Sequence, residues 1–165
     1  VSVSTIPAFR AALLARLEAD VLLAGVQVVI GHPFPAAPAA ELVIIGDSSS
    51  GATNLAGMFG GGQSSAAIGQ RSREERYITA LVCSVITRNL NDQQVIEERA
   101  MAIAGVIEAS VRGWAGGATP WAGITLPLGA RFGWVLVNAV QLSQHFGDVQ
   151  REARATIELA VSARI

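Results

Sequence analysis

The sequence predicts an α+β fold: a mostly antiparallel β-sheet packed by two α-helices, in the order α-β-β-β-α-β-β, with a long flexible Gly/Ser-rich loop. Three observations carry that reading. Toward the C-terminus Ala153, Ala155, Ile157, Leu159, Val161, Ala163 and Ile165 fall on one face, and Glu152, Arg154, Thr156, Glu158, Ser162 and Arg164 on the other. That period of two belongs to a strand with one core face. Ile96, Ala100, Ile103, Ile107, Val111 and Trp114 instead recur at steps of three and four, the stripe of a helix lying on a sheet. From Asp47 to Gln70 glycine, serine and alanine dominate and no period survives, as in a flexible loop.

The elements follow in order. Ser4 or Thr5 can cap a first helix with Pro7 in its opening turn, where a missing N–H costs nothing. Ile6, Phe9, Leu13 and Leu17 give that helix an apolar side, and it should end between Asp20 and Gly25. Val26 to Ile30 and Glu41 to Gly46 are short β-rich runs separated by the turn-forming GHPFPAAPA, either a hairpin or two neighbouring strands. After the loop at residues 48–70 the charged run RSREER leads into Tyr77 to Thr87, apolar on both faces. Such a strand belongs in the middle of a sheet or at a subunit contact. Asn91 or Asp92 caps the second helix, with Glu97 and Glu98 near its positive end. That helix should stop at Gly113 or at Gly116-Gly117, and a second glycine- and proline-bearing loop then carries Trp121. Phe132 to Leu142 and Val149 to Ile165 are two further strands, joined around HFGD.

Size and composition bound the function. The chain has 165 residues, enough for one domain that buries roughly two thirds of its unfolded surface. Hydrophobic residues make up 51% and charged residues 15%, against about a quarter charged in an average soluble domain. Partner chains are expected to cover part of that apolar excess. A net charge of −1 with interspersed signs leaves no basic field for sequence-specific nucleic-acid binding. No apolar run approaches the roughly 20 residues of a membrane-spanning helix, and VSVSTIPAF lacks the features of a secretory signal. The reading is of a protein made and kept in a cytoplasm. The single cysteine, Cys83, excludes an internal disulfide and a cysteine cluster for zinc.

Two strings invite an enzymatic reading, and both fail. LVIIGDSSSG resembles the first block of the GDSL hydrolases, which would make Ser48 a nucleophile. Such an enzyme needs a histidine held by an aspartate three residues before it, and His145 is preceded there by Leu142. GMFGGGQS has the spacing of a phosphate-binding loop, but Gln63 stands where the lysine must be. His32 and His145 have no acids at ligand spacing, so no metal is expected, and no cofactor is implied. Cys83, in the middle of an apolar strand, is a small buried hydrophobe. Trp114 and Trp134 read as core, and Trp121 as a contact residue. The run Arg71 to Arg76 is a solvated strand entrance that can pair with a neighbour's acids.

The helix TIPAFRAALLARLEAD, then VQVVIGHP, ELVIIGD, the strand RSREERYITALVCSV, the helix DQQVIEERAMAIAGVIEASVR and the closing strand REARATIELAVSARI together resemble the tail-terminator proteins of long-tailed, siphovirus-type bacteriophages of actinobacteria. The resemblance covers nearly the whole chain. It implies one terminator-like domain over residues 1–165 with residues 48–70 as a flexible insertion, longer and richer in glycine than the family pattern. It also implies a non-enzymatic virion protein at the tail–neck junction, assembled in the host cytoplasm. Six copies would close into a ring on the head-proximal end of the tail tube, stop its polymerisation and receive the head connector. Partners would be other copies of the chain, the tube protein and the connector, with DNA passing through the lumen unread and no membrane involved. The interface residues expected from the loop, the charge run and the free tryptophan are Ser48, Asn54, Met58, Phe59, Gln63, Arg71, Arg73, Glu75, Arg76 and Trp121. Alternatives are another neck or head-completion protein, a tube subunit and, remotely, a GDSL-type hydrolase.

Overall fold

The computed structural model describes residues 5–31, 39–46, 63–64, 72–116, 124, 131–147 and 149–164. The elements are α1 (Ile6–Glu18), a short 3-10 turn (Val21–Leu23), β1 (Gln27–Ile30), β2 (Glu41–Ile45), β3 (Gln63–Ser64), β4 (Ser72–Thr87), α2 (Gln93–Gly116), β5 (Arg131–Phe146) and β6 (Arg151–Arg164). The expected α+β class and element order hold, with the two-residue β3 added inside the segment expected to be all loop. The sheet runs β1-β2-β4-β6-β5, with β3 beside β4. β1 lies parallel to β2, so the two are neighbours and not a hairpin. Every other pairing is antiparallel.

Both helices cover one face of this sheet. Phe9, Leu13 and Leu17 of α1 and the Ile96, Ala100, Ile103, Ile107, Val111 and Trp114 stripe of α2 are buried against Val43, Ile45, Tyr77, Leu81, Cys83 and Val85. The odd-numbered positions of β6 from Ala153 to Val161 complete the same core. Phe9 ties the layers together. Its ring stacks on Trp114 (6.1 Å, 14°) and meets Tyr77 and Phe132 edge-on at 6.1 and 5.6 Å, geometries that suit the aromatic quadrupole. β4 lies third of five across the sheet, which explains apolar side chains on both of its faces.

Several local expectations change. Thr5 sits at the N-cap of α1 without making a side-chain cap. Its backbone N–H and hydroxyl both donate to Glu75 Oε2, at 2.8 and 2.6 Å. The first turn of α2 holds no acid. Glu97 and Glu98 lie one turn further and accept from the Gln93 and Gln94 amides, each at 2.8 Å. α2 ends at Gly116, the second of the two expected stops, since the Trp114 anchor outweighs roughly 1 kcal/mol of glycine penalty at Gly113. β5 extends to Phe146 because β6 offers a partner as far as Arg151. Gly46, at φ +75°, ends β2 where an added Cβ would come within 2.8 Å of the Arg10 guanidinium carbon. The positive φ favours glycine there, and a larger residue would also have to displace the Arg10 head group.

Candidate interaction surfaces

Alternation along the strands sends half of the sheet's side chains to the face without helices. On the β1–β2–β4 side, Leu42, Ile44 and Val82 form a second buried cluster with Val29 against it. Toward β5 the same face is open. Ile78, Leu136 and Trp134 keep 38%, 58% and 40% of their surface exposed. Ile78 and Leu136 flank Ala160, and Trp134 pairs with Ser162, the cross-strand partner of Arg76. The sequence reading of Trp134 as core is thereby corrected. Two irregularities in β5, between Phe132 and Trp134 and between Val137 and Ala139, set which residues face out. Beyond the second, Val140 and Leu142 turn to the helix side, where they remain 38% and 43% exposed.

The charge run is not uniformly solvated. Arg76 is exposed, whereas Glu75 is buried at 2% exposure beneath Thr5. The reason is parity: Glu75 shares the helix-side row with Tyr77 and Leu81, and Thr5 brings two donors to its carboxylate. The Tyr77 hydroxyl lies 3.4 Å from the Thr5 hydroxyl. Burial first of all, with the nearby Glu75 charge, pushes the Tyr77 phenol far above its usual range, against the opposing effects of Thr5 and Arg10. Gln63 and Arg73 are backbone partners across β3 and β4. Ser48, Asn54, Met58, Phe59, Arg71 and Trp121 lie outside the described residues.

Other polar contacts organise the sheet. Arg99 of α2 grips Glu41 of β2 through two bonds, 2.8 and 2.7 Å, and its hydrogen bonds hold the Glu41 carboxyl below the usual range. On the open face Glu152 accepts from the Ser84 hydroxyl at 2.5 Å and from Arg154 at 2.6 and 3.1 Å. Burial acts to raise the Glu152 carboxyl, but those bonds and the Arg154 charge bring it below the ordinary value. Ser84, Glu152 and His145 do not make a nucleophilic set. The serine donates straight to a carboxylate whose affinity for a proton is lowered by Arg154, too weak a base to take the hydroxyl proton. The Cys83 thiol is pushed up to about 12 by burial, which keeps it protonated and inert. No cluster of three metal-ligating side chains occurs among the described residues.

Between α1 and α2 a shallow groove of about 450 Å³ is lined by Ala12, Ala15, Arg16, Ala19, Asp20, Ser110 and Trp114. Arg16 closes its floor, with Nε 3.2 Å from Ser110 Oγ and its guanidinium 5.4 Å from the Trp114 ring. Its polar groups are thus engaged in joining the helices. The sheet's bare face and outer strands remain as the candidate surfaces.

A solved chain has this fold. It belongs to a structure described as the virion of a native gene transfer agent particle, and the alignment covers 98% of this chain and 99% of that one. The TM-score is 0.56 and the identity 18%, so the likeness is one of fold. A second solved chain aligns over 97% of this chain and 96% of its own length, at 13% identity and a TM-score of 0.44, too low to argue from. No family model matches the chain, and no curated protein does. Sequence reasoning missed Ile78, Trp134, Leu136, Val140 and Leu142 as exposed apolar residues. One signal was available: from Phe132 to Phe146 the sequence holds no Asp, Glu, Lys or Arg.

Proposed function

We propose that this chain is a non-enzymatic structural subunit of a phage-type virion, and more specifically a tail terminator. In this reading copies of the chain, six in number, close into a ring on the head-proximal end of the tail tube. The ring stops further tube growth and presents a surface to the head connector. The observation that carries the reading is the end-to-end correspondence of fold with a chain of a virion particle. It is supported by the exposed apolar residues Ile78, Trp134 and Leu136 at the β5 end of the sheet, which a lone soluble domain would be expected to cover.

The mechanism is complementarity of shape. A ring subunit has to present two different patches that fit one another, because a head-to-tail contact repeats around the ring until it closes. DNA crosses the lumen unread, in keeping with a net charge of −1 and with the dependence of nucleic-acid affinity on clustered cations. Residues 48–70, Arg71, Arg73, Arg76 and Trp121 are the proposed contacts with tube and connector. Glu75 serves the fold.

The test is to mix the purified chain with growing tail tubes and follow length by light scattering and ends by negative-stain microscopy. The expected result is an annular cap at one end and arrest of elongation. Tubes that lengthen undisturbed, without caps, overturn the proposal. Incorporation along the tube would make the chain a tube subunit, and binding to heads alone a head-completion protein.

A further inference from the structure

The two outer strands of the sheet share a property that the inner ones lack. No Asp, Glu, Lys or Arg occurs between Asp20 and Glu41, the stretch that contains β1, or from Phe132 to Phe146 in β5. The sheet's charges sit on β2, β4 and β6 and at the first residue of β5. Proteins that keep their sheets to themselves do the reverse, placing charges on edge strands to block pairing with another chain. Among the described residues no strand pairs with the outer side of β1 or of β5.

The edges are also matched in direction and level. One parallel and three antiparallel pairings separate them, so β5 runs opposite to β1. The β5 of one copy would therefore meet the β1 of the next as an antiparallel pair. Following the register across the sheet, Ile30 is level with Ile45, Leu81, Ile157 and Val140, and Val28 with Val43, Cys83, Ala155 and Leu142. Both rows lie on the helix side. They reach β5 beyond its second irregularity, where residues 139–146 pair with β6 without interruption. Ile30 and Val140, at one level, are 44% and 38% exposed, and at the next level Leu142 is 43% exposed where Val28 is buried at 7%, so the two edges match in exposed apolar surface at the Ile30–Val140 level.

We infer that copies of this chain join head to tail by antiparallel pairing of β1 with the neighbour's β5, Ile30 facing Val140 and Val28 facing Leu142, to make one continuous sheet. A copy placed level with its neighbour leaves the sense, the face and the apolar rows unchanged from one subunit to the next, which is what a closing interface requires. The inference deepens the ring reading, and it rests on that reading only for where the ring sits.

The test places cysteines at the paired positions. Oxidised Ile30→Cys/Val140→Cys protein should give a ladder of covalent oligomers on a non-reducing gel, while each single variant stays monomeric; Cys83 is fully buried and does not take part. A second variant, Leu142→Lys, should keep its circular dichroism and associate at least about tenfold more weakly. Absence of a ladder, a dimer from Val140→Cys alone, or undiminished association of Leu142→Lys overturns the inference. Capped tubes without a ladder would sink the inference and leave the terminator reading standing. A ladder from a chain that never caps tubes would do the opposite.

Discussion

The two faces of the sheet come from the same strands and are stabilised differently. On the helix side Leu81, Ile157 and Leu159 are wholly buried, in the same core where Phe9 of α1 stacks on Trp114 of α2. On the other face, at the β5 end, Trp134 and Leu136 lie in the open. The comparison teaches that apolar side chains in this sheet divide by place: the helix side and the Leu42–Ile44–Val82 part of the other face are buried, and the β5 end of that other face stays exposed. Mutations can break that division. Ile107→Ala, beneath α2, should lose about 2–5 kcal/mol of unfolding free energy in urea titration, from lost transfer energy and a cavity. Glu75→Ala, which removes the acceptor of both Thr5 donors, should cost about 1–3 kcal/mol. A loss below a few tenths would mean that the Thr5 contact contributes nothing.

Acid sharpens the comparison, since among the described residues a depressed carboxylate lies on each face. Glu41 is held down by Arg99, and Glu152 by Arg154 and Ser84 despite its burial. A carboxyl with a lowered folded pKa contributes stability that is present above its unfolded value, 4.5, and lost as pH falls through the folded value. Glu41→Gln and Glu152→Gln should each flatten the fall in stability below that pH. For the partly exposed Glu41 pair the difference should be roughly 0.2–1 kcal/mol. The smallest expected effect is on the bare face: Trp134→Ser should change monomer stability by no more than about 0.5 kcal/mol. A loss of several kcal/mol would show that Trp134 belongs to the core after all.

How much of this was legible in the sequence depended on whether a signal was local. The alternation of β6 and the stripe of α2 could be read directly, because each records burial against one face. The central position of β4 followed from its two apolar sides. Trp134 was misread because a residue type does not state whether its face is covered, and that is decided by helices far away in sequence. Thr5 was expected to cap its own helix, and Glu75 to meet water. Their mutual contact joins residues 70 apart in sequence, and no window includes both. The relation of β1 to β2 stayed open for the same reason, as strand sense depends on how the chain returns. Of the expected interface, Arg76 is exposed and Gln63 is paired with Arg73. The charge-free edges are legible in the sequence as long runs without Asp, Glu, Lys or Arg, a signal that no single residue carries.

The central pairing of β4 with β6 has a consequence in time. Those strands are separated in sequence by all of α2 and β5, whereas β5 and β6 meet through the turn in which the Gly147 N–H donates to the Gln150 carbonyl at 3.0 Å. A hairpin of that kind forms in about 1–10 μs, and contacts between distant segments close more slowly. A newly made chain therefore exposes a two-stranded ribbon with one charge-free edge, residues 132–146, before its middle strand has docked. Refolding yield should accordingly fall as chain concentration rises, since the ribbon that recruits a finished neighbour can also capture an unfinished one.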